Sequence, residues 1–298
     1  AKKSNKIAIL IGMEGLQAID DNIDDIEKLY SFGVRHASLT WNEENKLATG
    51  AKGNIDRGLT EDGAKLIKKM EKLGMILDVS HTNEKTFWDI CKVATKPFIA
   101  SHSNCRSLCD VPRNLTDDQL REIAIRNGVV GVNSYEEFVS SDLEKRTVEH
   151  LVDHIDHMVE VMGIDHIGLG FDFAEYLNAD TLKHYASTYT YGVRGLEDTT
   201  KAKNIISVLE KRGYSKEDIE KITVEVEEKI LDSFVADMTS YGVDCYGCTS
   251  NHTASGYYIG NGNIYYNDSF YGKVRILAGD KSYPFGTIVR MYIDNSEI

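Results

Sequence analysis

Six short apolar runs, each separated from the next by a more polar stretch, constrain this chain more than any other feature. They are IAILIG (7–12), VRHASLT (34–40), MILDVS (75–80), PFIAS (97–101), VVGVN (129–133) and HIGLGFD (166–172). A strand with one wet face alternates apolar and polar residues. These runs do not, so they predict strands buried on both faces of a parallel sheet. The stretches between them carry apolar residues at helical spacing: 20–33, 59–74, 83–94, 116–128 and 149–163. Thr60 and Thr116 stand where N-caps belong, and Gly33 and Gly74 where helices stop. The chain is therefore read as α/β.

A doubly wound sheet and a (β/α) barrel both fit that alternation. The polar residues favour the barrel. Glu14, His81, His102, Asn133 and Asp172 each fall at or just beyond the C-terminal end of a run, the face on which barrel enzymes build their sites. Two histidines ending successive buried strands bring their side chains to one mouth. Imidazoles that converge with carboxylates suit a borderline divalent cation, above all zinc. Such a centre can activate water and polarise a carbonyl, so a metal-dependent hydrolase is the chemistry expected.

The strings GMEG (12–15), GVRHASLTWN (33–42), GLTEDGAKLIKKMEKLGMILDVSH (58–81), PFIASHSN (97–104), RNLTDDQL (113–120) and GLGFDF (168–173) occur in this order. Together they resemble the membrane (renal) dipeptidase family of zinc metallopeptidases, from about residue 7 to about residue 215. The resemblance implies a (β/α)8 barrel, a binuclear zinc site and hydrolysis of dipeptides to amino acids by a metal-bound hydroxide. It implies Glu14 as the carboxylate bridging the metals and His81 and His102 as ligands of the second. Arg113, followed by Asn114, would hold the substrate carboxylate or the oxyanion. Asp172 would serve the attacking water as general base and then acid. Trp41 stands where the family often has a substrate-contacting histidine.

A second departure concerns the first metal, which in the family also takes a His-x-Asp pair from the first strand. Only 13 residues precede Glu14 and none is histidine. Counted against the family, the six runs are its third to eighth strands, with the first two β-α units missing. Activity would be impaired, and Glu14, His81 and His102 would supply donors for one zinc instead of two.

From about residue 235 the texture changes to Gly, Tyr, Asn and Ser with short β-branched runs, which reads as an all-β module. The expected domains are thus 1–234 and 235–298. The second is similar to the opening of the three-aspartate (3D) domain of cell-wall-lytic proteins, with Asp280 of AGDKS as the first of its aspartates. That resemblance implies an alternative function: a peptidoglycan-associated binding or lytic module beside an inactive barrel remnant.

Other signals set limits. A net charge of −13 argues against nucleic-acid binding. No apolar run is long enough to span a membrane, and AKKSNKIAIL does not read as a signal peptide. Five cysteines imply no disulfide framework, and Cys245-x-x-Cys248 alone is a weak metal signal. His150, His154 and His157 share a helix with Leu151, Ile155 and Met158 in an ordinary amphipathic pattern, so a structural role is expected. The partners expected are a dipeptide substrate, a second copy in a homodimer, and peptidoglycan through the C-terminal module. The sequence does not fix the compartment; the expectation is cytoplasmic for the barrel, or the cell wall or exterior if the module works.

Overall fold

The computed structural model describes residues 10–175 and 192–223, and the backbone of four short strands beyond residue 264. The chain divides into two compact units, Ala1–Glu228 and Lys229–Ile298.

The first unit is a parallel sheet wound in one direction. Strands β1 (Ile11–Met13), β2 (Val34–Ser38) and β3 (Ile76–Asp78) pair in sequence order. Ile99 and Ala100 continue the ladder, bridging Asp78 on one side and Val130 on the other. Beyond them β4 (Val130–Val132) pairs with β5 (Ile167–Leu169), again in parallel. Every apolar run therefore contributes to the sheet, and the order never reverses among the described strands. A doubly wound sheet would show a switch point.

The helices start and stop where their ends are satisfied. In α2 (Glu61–Leu73) the Thr60 hydroxyl accepts from the Gly63 amide at 3.1 Å, and Gly74 closes the helix with φ of 74°. Asn83 caps α3 (Glu84–Val93), and Thr116 and Gln119 form a reciprocal capping box on α4 (Asp117–Ile125). The first expected helix is shorter than read. After two 3-10 turns it begins only at Ile26, as α1 (Ile26–Ser31). Asn22, whose side chain accepts from the Asp24 amide, and the aspartates around it favour local turns over helix. The short α5 (Glu136–Val139) was not read from the sequence. Next comes α6 (Val148–Met162), which matches the stretch expected at 149–163. Two further helices, α7 (Asn204–Arg212) and α8 (Lys216–Ile222), follow; SKEDIEKITVEVEEKILDSFVADM (215–238) reads as a helical junction and contains α8, whereas α7 was not read from the sequence. Leu66, Ile67 and Met70 of α2, Phe87 and Ile90 of α3, and Leu151, Ile155 and Met158 of α6 are buried in one core with Ala37, Leu77, Ala100 and Val130 of the sheet. Successive helices touch, α1 with α2, α2 with α3, α4 with α6 and α6 with α7, as expected of one outer layer.

The sheet curls steeply beneath its C-terminal end. A Cβ on Gly131 would lie 2.0 Å from the Ser101 carbonyl oxygen, and one on Gly170 would lie 1.8 Å from it. Gly170 is two strands away from Ser101, which in a flat sheet means about 10 Å. Only residues without a side chain allow this approach. At the opposite margin β1 has β2 on one side, and Leu10 and Ile11 are 54% and 43% exposed.

In the second unit, β6 (Tyr265–Asp268) pairs with β7 (Gly272–Arg275), and β8 (Tyr292–Ile293) with β9 (Ser296–Glu297), both antiparallel. The expected boundary at 235, Cys245, Cys248 and Asp280 lie outside the described residues, so the reading of a 3D-like module rests on sequence alone. No helix among the described residues is long and apolar enough to cross a membrane.

Candidate metal centre

Three strand ends deliver three donors to one point. Glu14 follows β1 directly. The next residue, Gly15, turns the chain with φ of 81°, and its amide donates to the Ser38 hydroxyl at 2.9 Å, tying the exit of β1 to β2. His81 lies in the turn after β3, where the Thr82 amide bonds to the Val79 carbonyl and the His81 carbonyl accepts from Ala51. His102 follows the Ile99–Ala100 strand, with its amide donating to the Ser80 hydroxyl at 3.1 Å. The Nε2 atoms of the two buried imidazoles are 2.8 Å apart. The Glu14 carboxylate stands 3.3 Å from His102 Nε2 and 3.6 Å from His81 Nε2. Among the described residues this is the one group of three or more such side chains with donor atoms close enough to hold a metal ion.

Hydrogen bonding decides which face of each ring is a donor. His81 Nδ1 faces the side-chain oxygen of Asn42 at 3.1 Å, an acceptor, so Nδ1 carries the proton and Nε2 the lone pair. His102 Nδ1 lies 2.7 Å from the Ser101 hydroxyl, whose proton goes to Asp78 at 2.5 Å. Again Nε2 is left bare. Two lone pairs and a carboxylate thus converge, an arrangement that repels itself unless a cation sits among them. Burial, helped by the charge of Arg113, pushes His81 down to about 2, and the same two causes lower His102. Both rings are neutral donors across the working pH range. Two imidazoles and one carboxylate fit zinc.

The remaining expected residues divide. Arg113 is buried, with Nη2 3.4 Å from His81 Nε2 and 3.4 Å from the His102 carbonyl, so its guanidinium stands at the centre. Trp41 is there too, its ring 6.0 Å from that of His81. Asp172 follows β5 with φ of 59°, a left-handed conformation uncommon outside glycine. Its charge opposes the depression of His102. Asn114 faces the main chain. Its amide donates to the carbonyls of Cys109 and Phe138, both at 2.8 Å, so it braces the loop that presents Arg113 and offers its N–H groups to the main chain. His150, His154 and His157 stay apart from the centre, as expected. His154 is buried and bonded to main chain, and His157 pairs with Asp117 at 2.8 Å.

Sequence reasoning missed Asp78, Ser101 and His36. Burial works to raise the Asp78 carboxyl, but the hydrogen bonds from His36 and Ser101 outweigh it and hold it well below the usual carboxylate range. The same hydrogen bond holds His36 above its ordinary value. The available signal was the serine and aspartate within DVSH and SHS, which were read only for their histidines.

A model of the membrane dipeptidase family (peptidase family M19) matches residues 1–233. The chain belongs to the membrane dipeptidase family. Among membrane dipeptidase relatives, an uncharacterized dipeptidase of Schizosaccharomyces pombe is 36% identical over 225 residues, covering 74% of this chain and 51% of that protein. A metallopeptidase of Rhodobacter sphaeroides, solved with a phosphinate mimic of the dipeptide L-Ala-D-Ala, is 30% identical with a TM-score of 0.62 and covers 72% of this chain and 60% of its own. An amidohydrolase of Pseudomonas aeruginosa is 27% identical with a TM-score of 0.65, over 72% of this chain and 69% of that one. The chain spans about half the length of the curated membrane dipeptidase relatives it matches.

Proposed function

We propose that this chain carries the metal and substrate side chains of a zinc-dependent dipeptidase, with Glu14, His81 and His102 as the metal ligands. The observation that carries the reading is the convergence of two bare Nε2 atoms and a carboxylate on one point, beside a buried guanidinium. Bound there, zinc would lower the pKa of a water and polarise a peptide carbonyl. Arg113 binds the free carboxylate of the dipeptide, for which its planar fork is suited. Asp172 takes a proton from the attacking water on a carboxylate oxygen and returns it to the departing amine nitrogen, so one water is consumed and two amino acids leave. Trp41 covers the mouth as an apolar wall. The relative solved with the L-Ala-D-Ala mimic supports dipeptides as the substrate class.

The fold reading follows the same lines. We infer six strands of a (β/α)8 barrel, supported by the unreversed strand order, the curl at Ser101 and the exposed margin at Leu10 and Ile11. Neither a homodimer nor a peptidoglycan contact, both expected above, gains support from the comparisons.

The test is zinc content by elemental analysis after gel filtration, together with hydrolysis of a dipeptide panel with and without chelator. About one zinc per chain and chelator-sensitive hydrolysis are expected. Folded protein that retains no zinc and cleaves no dipeptide would refute the reading.

A further inference from the structure

Asp78 precedes His81 by three residues, yet its side chain serves the other histidine. The carboxylate is fully buried and accepts five hydrogen bonds. Oδ1 takes the Ser80 amide at 2.9 Å, the Ser80 hydroxyl at 2.7 Å and the Ser101 amide at 3.0 Å. Oδ2 takes the Ser101 hydroxyl at 2.5 Å and His36 Nε2 at 2.8 Å. An ionised carboxylate only accepts, so every one of those hydrogens points at Asp78. The Ser101 hydroxyl has one proton and has given it away. Toward His102 Nδ1 it can therefore only accept.

We propose that Asp78 is a positioning residue that acts through Ser101 to fix His102 with its proton on Nδ1 and its lone pair on Nε2, and that His36 anchors the far end of this relay. The relay runs across three neighbouring strands, from His102 through Ser101 and Asp78 to His36 on β2. Asp78 also steadies the main chain of His102, because the Ser80 hydroxyl that donates to Asp78 accepts from the His102 amide. Gly12 makes room at the outer end, since a Cβ there would come within 2.3 Å of His36 Nδ1. His81 is held independently, by Asn42. Cutting the relay should consequently disturb one imidazole and spare its neighbour. A carboxylate or carbonyl behind a ligating histidine is a recurrent device for setting its tautomer and basicity, and its loss typically costs ten- to a hundredfold in metal affinity.

The inference rests on reading the centre as a zinc site, so the test separates the two. In the metal-free protein with 15N-labelled histidine, long-range 1H–15N spectra at mildly alkaline pH report the tautomer of each ring without any metal. Wild type should show His102 protonated on Nδ1. Ser101→Ala should release that preference in His102 and leave His81 as it was, and Ser101→Thr, which restores a hydroxyl, should recover it. In parallel, competition with a chromophoric chelator should show zinc affinity falling about tenfold or more in Ser101→Ala and returning in Ser101→Thr. A wild-type His102 protonated on Nε2 would overturn the relay with no variant needed. So would a Ser101→Ala protein with unchanged tautomer and unchanged zinc affinity. If wild type binds no zinc, the metal reading falls, and the metal-free spectra still decide the relay.

Discussion

The Nη2 atom of Arg113 stands 3.4 Å from the Nε2 atom of His81, so the guanidinium proposed to hold substrate and the candidate metal donors share one small mouth. On that proposal, a dipeptide whose carboxylate reaches the guanidinium would bring its peptide carbonyl toward the metal donors. Arg113→Lys keeps the charge and loses the planar fork. KM for dipeptides should rise about tenfold or more while kcat changes less, and steady-state kinetics on a dipeptide panel would show it. An unchanged KM would remove Arg113 from substrate binding.

Zinc should stabilise the fold, because the donors repel one another without a cation. At about a thousandfold excess of free zinc over its dissociation constant the gain is about 4 kcal/mol. Calorimetry should show the melting temperature rising with zinc and falling again with chelator. Glu14→Gln should weaken both effects, since its side-chain amide gives up the negative charge that faces the two rings.

Asp172→Asn should separate catalysis from folding. Asparagine tolerates the left-handed backbone that Asp172 adopts at φ of 59°. The variant should fold and bind zinc as wild type does, and hydrolysis should fall about a hundredfold or more as the proton carrier is lost. Hydrolysis within a few-fold of wild type would assign the proton to another group.

His154 makes stability depend on pH. Its Nδ1 accepts from the Cys105 amide at 3.1 Å and its Nε2 donates to the Val139 carbonyl at 3.0 Å, so a second proton has no acceptor. Burial lowers its pKa from 6.5 to about 4. Between those values the unfolded chain binds a proton that the folded chain refuses. The contribution is therefore full above 6.5 and is lost as pH falls toward 4. From pH 7 to pH 5 the loss is about 2 kcal/mol. Urea denaturation of wild type and His154→Gln at both pH values should show that difference, with the variant less sensitive to acid.

Much of the scaffold was legible in the sequence, because the apolar runs and the helix caps are local signals. Thr60 with Gly63 and Thr116 with Gln119 lie within one turn of each other, and the runs around Leu77 and Val130 needed no partner to be read as buried. The start of α1 was not legible, since the turn-forming tendency of Asn22 competes with helical spacing that looks continuous. At the centre, Glu14, His81 and His102 could be found by their place at strand ends. Asp78 could not, because it reads as the last residue of a strand and its role depends on Ser101 and His36, which are 23 and 42 residues away. The partners of Asn114 were illegible for a related reason. It adjoins Arg113 in sequence, but its amide donates to the carbonyls of Cys109 and Phe138, and Phe138 lies 24 residues away.

The close contact of Gly131 and Gly170 with the Ser101 carbonyl means that three strands meet main chain to main chain just before His102. No side chain stands at that junction to enlarge, shrink or recharge. On the proposed function, selection for a different dipeptide would find nothing to change in such a floor and would act on a rim formed by Trp41 and the Arg113 loop. Directed evolution of this chain should accordingly collect its specificity changes on the rim and find the floor silent.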